Sequence, residues 1–157
     1  VGTGVPLLLI HGFPLDRSLW QPQVKGLQGA ARIIAPDLRG FGAAQDGPAT
    51  VTMDDYAADL EALLGALHIP QAVVCGLSMG GYVALALLAK APHLVKGLIL
   101  CNTRAGADDA RAREGRQATA KKVSEEGMLP IADAMLSKLL TEATIAAHTD
   151  LSASVKA

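Results

Sequence analysis

Aromatic side chains are scarce in this sequence: 3% of 157 residues, with one Trp, two Tyr and two Phe. Any core must therefore be aliphatic and alanine-rich, which the 50% hydrophobic content allows for one domain of this length. An excess of either charge is missing too. The 14 Lys and Arg against 15 Asp and Glu leave a net charge of −1. That removes the electrostatic case for nucleic acid or an anionic membrane surface. No apolar run is long enough to span a bilayer, and no signal peptide is visible. Cysteine is nearly absent. Cys75 and Cys101 both sit in apolar strand-like runs. Buried, reduced thiols are expected there rather than a disulfide or a metal site, which fits a cytoplasmic protein. The chain starts at Val1 rather than Met, close to the first strand-like run, so its N-terminus reads as cut or processed. There is no internal repeat and no low-complexity tract.

What the chain does have is one organising stretch, Val73-Val74-Cys75-Gly76-Leu77-Ser78-Met79-Gly80-Gly81-Tyr82. An apolar run stops at Gly76-Leu77-Ser78-Met79-Gly80, and a small-residue helical pattern follows at once. This is Gly-x-Ser-x-Gly in the context of strand, sharp turn and helix. A serine at the tip of such a turn is held at a strained backbone angle with its Oγ raised above the sheet edge. The residues two before and two after it then approach closely, and Gly76 and Gly80 have no Cβ to prevent this. The following helix points its N-terminal N–H groups at the serine, where they would stabilise a developing oxyanion. The plainer alternative makes Gly76 and Gly80 ordinary turn glycines and Ser78 an ordinary N-cap.

The rest of the chain is read around this turn. Pro6 to Ile10 is an apolar run of the kind buried on both faces of a parallel sheet. His11 to Asp16 is a loop, and Ser18 to Gly26 starts a short helix with Trp20 and Val24 inward. Ala31 to Pro36 is the next strand. Arg39 to Gly42 is a turn, and residues 43–50 form a Gly/Pro/Ala loop. Thr52 with Asp55 forms a capping-box variant that starts a helix carrying Tyr56, Leu60, Leu63, Leu64 and Leu67, ended by Pro70. Ala72 to Cys75 is the strand into the elbow. Met79 to Lys90 is a helix apolar almost all round, and Val95 to Cys101 is another buried strand. The alternation predicts an α/β fold with a mostly parallel sheet flanked by helices. After Asn102 the composition changes. Charges crowd residues 104–126, helical spacing returns at Ala132, Met135, Leu136, Leu139 and Leu140, and no strand-like run appears. A boundary is expected near Thr103, with 1–102 as the core and 103–157 as a helical appendage.

His11-Gly12-Phe13-Pro14, Pro36-Asp37-Leu38-Arg39-Gly40-Phe41-Gly42 and Gly76-Leu77-Ser78-Met79-Gly80-Gly81 occur in that order. Together they resemble the α/β-hydrolase superfamily, and most of all its branch of 3-oxoadipate enol-lactonases and small carboxylesterases. Cofactor-free haloperoxidases and proline iminopeptidase-like enzymes are near relatives of that branch. The resemblance covers about residues 5 to 102, and the helices after Asn102-Thr103-Arg104-Ala105 look like the start of the branch's cap. It implies Ser78 as nucleophile, and the backbone N–H groups of Met79 and Phe13 as the oxyanion hole. It implies no metal and no organic cofactor, and a small-molecule ester or lactone as substrate.

The sequence also departs from that family. Its acid and histidine follow the serine, yet only His93 and His148 lie after Ser78. His93 is a helix length away, roughly 20 Å. His148 lies in the appendage, where Asp133 or Asp150 could orient it. His11 precedes the serine and is assigned to fixing its loop, as are Asp16, Asp37 and Arg39. His68 ends a peripheral helix. Trp20, Met128 and Met135 could line a pocket, but packing explains them more simply. Arg104, Asp108, Asp109, Arg111, Arg113, Glu114 and Arg116 read as a solvated helix face. The expectation is a serine hydrolase whose triad acid and histidine are not found among these residues. The competing reading is a non-catalytic module of the same fold that binds a small molecule or a protein. Open sheet edges would favour self-association or a complementary chain.

Overall fold

The structure, a computed structural model, describes residues 1–45 and 50–156. Half of the loop expected over 43–50, residues 46–49, lies outside the described residues. Two compact units emerge, Val1–Ala105 and Gly106–Ala157.

The first unit is built on four parallel strands: β1 (Val5–Ile10), β2 (Ala31–Ile34), β3 (Ala72–Leu77) and β4 (Val95–Cys101), in the order β2-β1-β3-β4. Consecutive residues of a strand point to opposite faces. Leu8, Leu9 and Ile10 are nonetheless all buried, because both faces of β1 are covered. Leu8 and Ile10 join a core with Leu60 and Leu64 from helix α2 (Met53–Ala66) and with Val83, Ala84 and Leu87 from α3 (Met79–Lys90). Leu9 packs on the other side with Trp20, Ile33 and Cys75. The continuous apolar runs are thus the signature of two-sided burial. β1 has β2 on one side and β3 on the other, so the chain reverses its direction of winding between them. The crevice at the carboxyl ends of such a strand pair is where open α/β sheets bind ligands.

Local chemistry sets the element ends. Thr52 Oγ1 accepts from the N–H of Asp55 at 3.2 Å, and Asp55 returns a carboxylate oxygen to the N–H of Thr52 at 2.8 Å. This capping box starts α2, which stops at Ala66, before the positive-φ residue His68 and well before Pro70. Trp20 closes a 3-10 turn (Arg17–Trp20), which Asp16 caps by accepting from the N–H of Ser18 at 2.7 Å. Helix α1 (Gln21–Leu27) follows with Val24 half-buried. Trp20 is buried in the aliphatic cluster around Leu9, so packing accounts for it.

The run Val95–Cys101 reads as a buried strand, but Ile99 and Leu100 are 47% and 46% exposed. β4 pairs only with β3 among the described strands, so its outer side is uncovered. Cys101 is accordingly half-exposed, while Cys75 is buried. Both thiols are free. Burial first, and then the neighbouring Cys101 thiol, push Cys75 up to about 12.

The second unit is helical: α4 (Ala110–Glu126), α5 (Leu129–Leu139), α6 (Glu142–Ala147) and α7 (Thr149–Lys156). Asp109 caps α4 by accepting from the N–H of Ala112 at 2.8 Å. The carboxylate of Asp108 pairs with Arg116. No residue of α4 is buried, as its charged composition requires. Met128 is 41% exposed and Met135 half-buried. No helix among the described residues is long and apolar enough to cross a membrane.

Candidate active site

Ser78 links β3 directly to α3 with φ 51° and ψ −111°. A positive φ is uncommon for a residue with a side chain and holds only where the surroundings impose it. Here they do. A Cβ on Gly76 would stand 2.3 Å from the carbonyl oxygen of Gly80. A Cβ on Gly80 would stand 2.2 Å from the oxygen of Ile10 and 2.6 Å from that of His11. Both glycines are required by close backbone approach, since neither has a positive φ. The turn is pressed onto strand β3 and onto the end of β1 at once. Ser78 occupies the N-cap position of α3, but its side chain makes no capping hydrogen bond to the helix.

The main chain of Ser78 is tied on both sides to the segment leaving β4. Its N–H donates to the carbonyl of Cys101 at 2.9 Å. Its own carbonyl accepts from the N–H of Gly81 at 3.0 Å and from the hydroxyl of Thr103 at 2.8 Å. Neither Cys101 nor Thr103 stood out in the sequence for this. The only signal was their place at the end of the strand neighbouring β3.

The loop after β1 reaches the same spot. A Cβ on Gly12 would lie 3.3 Å from Cβ of Ser78 and 3.0 Å from the oxygen of Leu77. The loop backbone therefore rests against the elbow, with Phe13 as the next residue. Phe13 is 38% exposed, and its ring stands edge-on to Phe41 at 6.2 Å. His11 is fully buried and also meets Phe41 edge-on, at 5.3 Å. Its Nε2 accepts from the N–H of Leu38 at 3.0 Å, which leaves Nδ1 to donate to the carbonyl of Gly12 at 3.2 Å. With both ring nitrogens engaged, His11 fixes the loop. Burial lowers its pKa below the ordinary 6.5.

Asp37 organises the next loop, accepting from the N–H groups of Arg17 at 2.8 Å and Ala43 at 3.0 Å. Arg39 was expected to act in the same turn but does not. Its guanidinium reaches α2 and pairs with both carboxylate oxygens of Asp59, a partner 20 residues on. That pairing raises its pKa. Asp16 is held below the usual carboxylate range chiefly by the hydrogen bond from Ser18.

The remaining histidines of the first unit stand apart from Ser78. His68 follows the C-terminus of α2, and His93 lies beyond the far end of α3. That helix has 12 residues, or about 18 Å of rise. Asp133, His148 and Asp150 belong to the second unit. Among the described residues there is no group of three His, Cys, Asp or Glu placed to hold a metal ion.

Comparison with known proteins adds the lineage. The family described as alpha/beta hydrolase fold matches residues 5–139. The chain belongs to that family. The α/β-hydrolase chain is 34% identical over 135 residues to 3-oxoadipate enol-lactonase 2 of Acinetobacter baylyi, covering 86% of this chain and 49% of that protein. Among solved structures, a thermophilic esterase from Thermogutta terrifontis superposes with a TM-score of 0.94 and 44% identity, covering 99% of this chain and 58% of that one. The enol-lactonase from Burkholderia xenovorans LB400 does so with a TM-score of 0.89 and 30% identity, again over 99% and 58%. The α/β-hydrolase chain thus spans about half the length of the enol-lactonase relative and somewhat more of the two solved structures.

Proposed function

We propose that this chain carries the nucleophile and oxyanion hole of a serine hydrolase acting on carboxylic esters or lactones. The observation that carries the reading is Ser78 at φ 51° on a strand-to-helix turn, with its side chain unused as a cap and a second loop laid against it. Ser78 Oγ attacks the substrate carbonyl carbon. The N–H groups of Met79, at the head of α3, and of Phe13 stabilise the oxyanion that forms. Collapse expels the alcohol and leaves an acyl-enzyme, and water then releases the acid. Gly76 and Gly80 permit the turn, and Phe13 supplies an apolar wall for the acyl group. An esterase and enol-lactonases among the similar proteins support the substrate class. The helices of 103–157 are read as part of a cap domain. The chemistry needs no metal or organic cofactor.

Serine at neutral pH is a weak nucleophile until a neighbour takes its proton. His11 is committed to its loop and His93 is a helix length distant. The purified 157-residue chain is therefore expected to turn over a nitrophenyl ester orders of magnitude more slowly than an enzyme with a complete triad. Turnover abolished by His148→Ala would overturn that expectation.

The test of the main reading is intact mass after exposure to a fluorophosphonate probe. A single adduct, absent in Ser78→Ala, is expected, formed slowly because no base activates the hydroxyl. No adduct after long exposure, with a bound small molecule still detectable, would favour the non-catalytic module instead.

A further inference from the structure

We propose that Thr103 is a positioning residue for the oxyanion hole, acting through the carbonyl of Ser78. The proposal rests on the reading of the Met79 N–H as an oxyanion donor.

The peptide unit joining Ser78 to Met79 is planar, so its C=O and N–H point in opposite directions and turn together. Whatever fixes the Ser78 carbonyl therefore aims the Met79 N–H. Two of that carbonyl's donors come from different elements. The N–H of Gly81, at 3.0 Å, is part of the first turn of α3 and moves with it. The Thr103 hydroxyl, at 2.8 Å, comes from the neighbouring strand's exit and anchors the plane from outside the helix.

Two further observations fit this role. The same short segment also takes the N–H of Ser78, through the carbonyl of Cys101 at 2.9 Å. Residues 101–103 thus grip the serine's backbone from both ends, around the sharp bend at Asn102, whose φ is 43°. Thr103 also occupies the space that a side chain at position 81 would need. A Cβ on Gly81 would lie 2.4 Å from the Thr103 Oγ1 and 2.5 Å from its Cγ2. The glycine after the Gly-x-Ser-x-Gly pattern is thus accounted for by Thr103 rather than by the elbow. A hydrogen bond accepted by the Ser78 carbonyl also polarises the peptide, which makes the Met79 N–H a stronger donor.

The experiment compares Thr103→Val, which keeps the shape and removes the hydroxyl, with Thr103→Ser, which keeps the hydroxyl. The readouts on the 157-residue chain are the second-order rate of fluorophosphonate labelling at Ser78, the amide chemical shift of Met79 and the melting temperature. Loss of one neutral hydrogen bond should slow labelling by about tenfold in Thr103→Val. Thr103→Ser should label within about twofold of wild type, on the same hydrogen-bond argument. The Met79 amide proton should move upfield in the valine variant and return in the serine variant. A packing role alone would change melting temperature without this pattern of rescue. Equal labelling of wild type and Thr103→Val, or an unmoved Met79 amide, overturns the proposal while leaving the serine-hydrolase reading intact. Absence of labelling in wild type even after long exposure overturns that reading and this inference with it. If Thr103→Val does not fold, Thr103→Ala carries the same comparisons.

Discussion

Leu38 donates its main-chain N–H to Nε2 of His11 across 3.0 Å, joining the loop after β1 to the loop after β2. The bond exists only while Nε2 is unprotonated. Burial lowers the His11 pKa in the folded state below 6.5. Between that lowered value and 6.5 the unfolded chain takes up a proton that the folded chain refuses, so stability rises with pH. The stability is fully present above about pH 6.5 and is lost as pH falls toward and through the folded value. The melting temperature should therefore drop between pH 7 and pH 5. In His11→Gln, where a neutral amide oxygen can accept from Leu38, the drop should be smaller. Parallel pH profiles for the two proteins would show that His11 does not titrate as argued.

The contact between Gly80 and the end of β1 sets a second expectation. Gly80→Val would place a side chain 2.2 Å from the oxygen of Ile10, and backbone on both sides gives it no room. Unfolding by denaturant should show a loss on the order of 2 kcal/mol or more. A variant as stable as wild type would mean that the turn is looser than described.

Strand β4 sets a third. Ile99 and Leu100 lie next to each other, point to opposite faces and are each about half exposed. An uncovered apolar edge invites strand pairing with another chain. Sedimentation of the 157-residue chain should show concentration-dependent association. Lysine at position 99 should weaken it, since a charge on an edge strand opposes pairing. A wild-type chain that stays monomeric at high concentration would count against this.

The elements that were legible in the sequence are those whose cause is local. Helix α3 runs from Met79 to Lys90 as its apolar pattern says, because a strand-to-helix turn opens it and Pro92 follows it. The capping box of Thr52 and Asp55 is a contact between residues three apart, and it appears as read. The Gly76-to-Gly80 spacing that permits the positive φ of Ser78 likewise lies within five residues. Contacts made across the chain were not legible. Arg39 lies in a turn by sequence, yet its partner Asp59 comes from α2. Thr103 reaches Ser78 across 25 positions, and no periodicity marks such a bond. The exposure of Cys101, Ile99 and Leu100 depends on which strand forms the edge of the sheet, and an apolar run does not encode that.

The backbone angle at Ser78 carries one more consequence. A residue with a side chain at φ 51° stores on the order of 1–3 kcal/mol of strain. Glycine reaches that conformation freely, though it adds entropy to the unfolded chain. Ser78→Gly should accordingly melt higher than Ser78→Ala, which keeps the strain and loses only the hydroxyl. Equal melting temperatures would mean that the angle is relaxed. If Ser78 does the chemistry proposed, reactivity and comfort are opposed at a single position. A descendant of this chain released from catalysis would then drift toward glycine there and become sturdier as it fell silent.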